Sequence, residues 1–97
     1  MTEISSGDVI RRAPGQIDTN IEGEIVAMHI ESGRIFGMAE TASHIWSRID
    51  APISFGDLIE ILADEYTIDR DTCRSDVAAF LIQLREHGLI EISNEVR

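Results

Sequence analysis

The hydrophobic period of this chain changes near residue 40, and that change limits the folds open to it more than any other feature. Before it, Ile17, Thr19 and Ile21 alternate with Asp18 and Asn20, the two-residue period of a half-buried strand. Glu22-Gly23 has the length of a two-residue hairpin loop, and Glu24 to Ile30 is a second run rich in β-branched residues. After a turn at Glu31-Ser32-Gly33, Arg34 to Ala39 is the third run, with Arg34, Phe36 and Met38 on one face and Ile35, Gly37 and Ala39 on the other. The connections are too short for crossover helices, so the three runs form an antiparallel meander. Upstream, Val9 to Arg12 is a short extended segment and Pro14-Gly15 a turn.

Beyond residue 40 the period is helical. Ala42, Ile45, Trp46 and Ile49 form one stripe, with Glu40 or Thr41 at its start and Pro52 stopping the helix. Ser54-x-x-Asp57 opens a second helix in the manner of a capping box, and Leu58, Ile59, Ile61, Leu62 and Tyr66 form its apolar side. Asp71 or Thr72 caps a third helix with the stripe Cys73, Val77, Phe80, Leu81 and Leu84, and Gly88 ends it. Leu89 to Ile92 is a short closing strand. Strands grouped ahead of helices indicate an α+β fold: a three-stranded antiparallel sheet followed by three helices. With 97 residues, 43% of them apolar, there is room for one core. The expected division is a flexible segment over 1–8, one domain over 9–92 and a flexible end over 93–97.

Charge narrows the partners. Eighteen acidic residues against eight basic ones, all arginine, give a formal charge of -10. Nucleic acid and anionic lipid both require clustered cations, so neither is an expected partner. The third helix, the recognition helix if helices two and three form a winged helix-turn-helix, sets Asp71, Asp76 and Glu86 against Arg74 and Arg85 and would repel a duplex. No run approaches the roughly 20 apolar residues of a membrane span, and the first residues do not have the pattern of a signal peptide. The single cysteine, Cys73, excludes an internal disulfide, and a cytoplasmic setting is expected.

Chemistry-bearing constellations are sparse. His29, His44, His87 and Cys73 form no close pair at metal-ligand spacing, so no metal is expected. Cys73 lies on an apolar stripe, as a small buried hydrophobe would, rather than beside a base. The glycines fall at turns and make no phosphate loop, so no cofactor is expected. Asp64-Glu65 and Asp69-x-Asp71 form local negative patches with no sign of the burial that acid–base catalysis needs. Trp46 reads as core. The sequence is that of a binding module rather than an enzyme.

The run Gly33-Arg34-Ile35-Phe36-Gly37-Met38-Ala39-Glu40-Thr41-Ala42, followed by Ile45-Trp46, resembles the strand-to-helix junction of PqqD-like proteins. The helix from Ser54-Phe55 to Tyr66 and the pattern Asp76-Val77-x-x-Phe80-Leu81-x-x-Leu84-x-x-x-Gly88-Leu89-Ile90 resemble that family's second and third helices. The likeness spans about residues 15–92, and departs from the family's usual Leu-Asn strand ending at Met38-Ala39. It implies a winged-helix-like recognition element of ribosomally made, modified peptides. Such a module binds the leader segment of a precursor, and this one looks most like the leader-binding partner of lasso-peptide biosynthesis. There a separate transglutaminase-like cysteine protease removes the leader and an ATP-dependent cyclase closes the ring. The alternatives are a peptide chaperone of pyrroloquinoline quinone synthesis working with a radical-SAM enzyme, or an acidic winged-helix regulatory or partner subunit.

A short meander also supplies a physical means of binding, because its edge strand leaves main-chain groups free for an extended peptide. If Arg34, Ile35, Phe36, Gly37 and Met38 are that edge, Gly37 allows close backbone approach. Val77, Phe80, Leu81 and Leu84 of the third helix would line side-chain pockets, with Cys73 and Arg74 on the same stretch, or would simply fill the core. Asp69, Asp71 and Asp76 would attract a basic leader and speed its association, or would serve as caps and solvated charge.

Overall fold

A computed structural model describes residues 4–94. The alternating runs form β2 (Gln16–Ile21), β3 (Glu24–His29) and β4 (Ile35–Met38), paired antiparallel in the order β2-β3-β4. Three helices follow: α1 (Thr41–Arg48), α2 (Phe55–Tyr66) and α3 (Arg70–Glu86). The fold is therefore α+β, with the expected meander and three helices.

A second three-stranded sheet lies beyond that reading. The segment read only as extended is β1 (Asp8–Arg12), the centre of a sheet ordered β5-β1-β6, with β5 (Ile53–Ser54) and β6 (Ile90–Asn94) at its edges. Val9 pairs with Ser54 on one side and Ser93 on the other, so the two ends of the domain close on each other. The chain also joins the fold earlier than the expected start at residue 9. Ile4 is buried, the Asp8 carboxylate accepts from the Ser5 amide at 2.9 Å, and the Gly56 amide at the start of α2 donates to Ser6 O at 2.9 Å. At the other end β6 runs to Asn94, past the expected boundary at 92, while residues 1–3 and 95–97 lie outside the described residues.

The alternation in β2 gives the right element but the other face is the one turned to the helices, and no residue of the strand is fully buried. Ile17 and Ile21 are 53% and 57% exposed, and Asp18 is the residue turned toward the helices. The reason is Trp46, fully buried in α1, whose indole Nε1 donates to Asp18 Oδ2 at 2.9 Å. In β4 the faces are as read: Met38 is buried and Phe36 half-buried, while Ile35 and Gly37 are exposed. The core gathers Ile10 of one sheet, Ile25, Ala27 and Met38 of the other, and Trp46, Phe55, Leu58, Leu62, Leu81 and Leu84 of the three helices, with Ile49 and Leu89 beside them.

Helix ends follow local chemistry. Ser54 Oγ accepts from the Asp57 amide at 3.2 Å and caps α2. At α3 the cap is Asp69, accepting from the Thr72 amide at 3.0 Å, rather than Asp71 or Thr72; Asp71 falls in the first turn, where its charge favours the helix dipole. Gly88 ends α3 at φ 76°, with the Leu89 amide donating back to Leu84 O at 3.0 Å. A Cβ there would also stand 2.7 Å from His29 Cδ2, so glycine is required twice over.

α1 begins without a side-chain cap. The Ala42 amide donates to Ala39 O at 3.1 Å, and Glu40 sits between them at φ 53°, ψ -118°. These are the angles of the first central residue of a type II′ turn, a glycine position. Strain of this kind is worth about 1–3 kcal/mol, against the 0.5–1 kcal/mol typically lost to glycine's freedom in the unfolded chain. Glu40→Gly is therefore expected to stabilise the domain by about 1 kcal/mol, a rise of roughly 4–8 °C in Tm measurable by calorimetry.

Candidate functional site

β4 is an edge strand: β3 flanks it on one side, and among the described residues no strand flanks it on the other. The His29 amide donates to Arg34 O at 2.9 Å, which fixes the phase of the ladder. In an antiparallel register hydrogen-bonded pairs alternate, so the main chains of Phe36 and Met38 face β3 while those of Ile35 and Gly37 face outward. Nothing lies within 4 Å of a Cβ placed on Gly37, so its backbone is open to approach.

α3 runs beside this edge. The Phe36 ring meets His87 edge-on at 4.9 Å between centroids and Phe80 at 6.2 Å. Toward the start of α3 lies a cavity of about 420 Å³. Thr41, Ala42 and Ile45 of α1 form one wall and Leu62, Tyr66 and Ile68 at the end of α2 another; Cys73, Asp76, Val77 and Phe80 of α3 complete it. The lining is apolar apart from a few groups, chiefly the Asp76 carboxylate and the Thr41 hydroxyl. Tyr66 is held in place by a 2.6 Å hydrogen bond between its hydroxyl and His44 Nδ1. His44 Nε2 lies 3.3 Å from Glu65, which also pairs with Arg48, so the α2 wall is tied to α1 by a polar cluster.

The residues singled out from the sequence divide into several groups. Ile35 and Gly37 lie on the free edge, Phe36 forms the wall between strand and helix, Met38 is buried beneath, and Arg34 is exposed at the strand's start. Phe80 and Asp76 face the cavity, and Cys73 and Val77 form its floor, 2% and 5% exposed. Leu81 and Leu84 are fully buried in the core, the second of the two roles open to them, because they lie on the side of α3 facing the rest of the domain. Asp69 is occupied by its cap. Asp71 and Arg74 lie on another face of α3, around a shallow depression shared with Ile4, where the Arg74 guanidinium stacks 5.1 Å above Phe55 and donates to Ser6 Oγ at 3.0 Å.

Sequence reasoning missed the α1 and α2 walls. Ile45 and Leu62 were indistinguishable from core, but Tyr66 and Ile68, 39% and 44% exposed on either side of the left-handed Thr67, carry a signal: large apolar groups clustered at a helix end.

The family model described as coenzyme PQQ synthesis protein D (PqqD) matches residues 24–90, which include β4, all three helices and the whole cavity. This chain belongs to the PqqD family. Two solved structures are similar. TbiB1 in complex with the TbiA(beta) leader peptide is 27% identical with a TM-score of 0.77, covering 84% of this chain and 94% of that one. Lasso peptide synthetase B1 complexed with the leader peptide is 26% identical with a TM-score of 0.74, covering 84% and 96%. No curated protein matches.

In this PqqD-family chain, burial pushes the Cys73 thiol above its ordinary pKa, and the nearby Asp76 carboxylate adds to the shift. Both effects suppress the thiolate. Alkylation of the native protein by iodoacetamide at pH 8 is expected to be at least about ten-fold slower than of the protein unfolded in urea. Mass spectrometry of timed samples measures the difference, and equal rates would show that the cavity floor is open.

Proposed function

We propose that this chain is a non-catalytic adaptor that binds the leader segment of a ribosomal precursor peptide in lasso-peptide biosynthesis. One observation carries the reading: a free strand edge runs beside α3 and ends at an apolar cavity. An extended peptide adding to Ile35 and Gly37 gains main-chain hydrogen bonds, and an apolar side chain entering between Tyr66 and Phe80 gains specificity. That the two similar structures are complexes with a leader peptide supports leader binding as the role.

On this reading the leader-cleaving cysteine protease, and then the ATP-dependent cyclase, act on the presented peptide in the cytoplasm, where ribosomal precursors are made. Helices α2 and α3 followed by β6 have the order of a winged helix-turn-helix, but the module reads peptide rather than DNA. Asp71, Asp76 and Glu86 are exposed on α3, and Arg74 is turned onto Phe55 and Ser6. The alternative of a pyrroloquinoline quinone chaperone is favoured by the family description alone, whereas the leader complexes favour the lasso assignment.

Titrating the protein with the leader of the precursor encoded beside it is expected to shift the amide signals of Ile35 to Met38 and of α3 together. Gly37→Pro removes an outward N–H at an edge position that tolerates proline, and is expected to weaken binding at least about ten-fold while the protein stays folded. Phe80→Ala is expected to do the same by emptying the wall. Shifts confined to α1 or to the first residues would overturn the groove. A leader with excess Lys and Arg is expected to associate more slowly as salt rises, because Asp69, Asp71 and Asp76 lie along α3.

A further inference from the structure

The register of the β2-β3-β4 sheet collects apolar groups on the face turned away from the helices. Cross-strand pairs place Ile17 beside Met28 and Met28 beside Ile35, with Thr19, Val26 and Gly37 forming the next row and Ile21 and Glu24 the last. Ile17, Ile21 and Ile35 are 53%, 57% and 64% exposed, and Ile30 is exposed just past the end of β3. Apolar faces of this kind on a monomer mark interaction sites. Exposed acids border the face at both ends, Glu22 and Glu24 at the β2–β3 hairpin and Glu31 at the β3–β4 turn.

We infer that this face docks the enzyme that acts on the bound peptide, through an apolar patch on that enzyme bordered by Arg or Lys. The inference rests on the adaptor reading for its occupant. Charge argues for a foreign partner over a second copy: pairing this face with itself would bring identical acidic borders together on chains that each carry a formal charge of -10. Continuity argues for the enzyme. A peptide strand added at β4 extends the same sheet by one strand, and alternate peptide side chains then stand on this face beside Ile35 and Gly37. A protein seated here touches adaptor and peptide at once, so each ligand strengthens the other's binding.

The test titrates the purified leader protease encoded beside this chain, with and without leader peptide, against the wild type and two variants. Ile17→Thr with Ile21→Thr keeps β-branched residues on β2, and Glu22→Lys with Glu24→Lys reverses the border charge. Each variant is expected to lose about ten-fold or more in protease affinity while leader affinity stays within about two-fold, and the wild type is expected to bind the protease more tightly when leader is present. Unchanged protease affinity in both variants overturns the inference. So does sedimentation of the wild type as a dimer that Ile17→Thr with Ile21→Thr converts to monomer. If leader fails to bind while the protease still binds the wild type and not the variants, the docking face stands and the adaptor reading falls.

Discussion

The position of the meander depends on satisfying one buried polar atom. Trp46 is wholly inaccessible, and its indole N–H, left unpaired, would cost about 1–3 kcal/mol. Asp18 of β2 accepts it, Arg12 of β1 stacks 4.3 Å above the ring and donates to Trp46 O at 2.6 Å, and the Arg12 guanidinium stands 3.8 Å from Asp18. One residue of α1 thus holds a strand from each sheet. Turning Asp18 inward turns Ile17 and Ile21 outward, because neighbouring residues of a strand point to opposite faces. The apolar outer face is therefore a consequence of the buried tryptophan.

The opposite end of the helical layer is fixed by close approach. Gly88 lets the end of α3 come against His29 of β3, and His87 packs on Phe36 of β4. α3 also packs on α2. The helix is pinned to the strands at its C-terminal end, and the space between the α3 start, α1 and the end of α2 is left as the cavity.

Local features were the legible ones. The three meander strands, the three helices, the Ser54 cap and the Gly88 ending follow from period and capping chemistry within a few residues of chain. The pairing of β1 with β6 joins Asp8 to Asn94, and no local pattern encodes a partner so far away. The face that β2 turns inward depended on a side chain in α1, and the cap of α3 on a choice among Asp69, Asp71 and Thr72 that only the backbone settles. In the site, β4 was legible as an edge, whereas Phe80 stood open between pocket wall and core. Leu81 and Leu84 share the apolar stripe of α3 with Phe80, and only the packing separates core from groove.

The charge has a different role from the cavity. Exposed aspartates act over about a Debye length, near 8–10 Å at ordinary salt, so they raise the rate of encounter with a basic peptide but add little to its residence. Residence comes from desolvated contacts, which on the proposed reading are those at Tyr66, Phe80 and the free main chain of Ile35 and Gly37. A carrier that must capture a peptide and later release it gains from that separation. On the proposed reading its association rate is tuned at the surface of α3, and its affinity by one apolar wall and one strand edge.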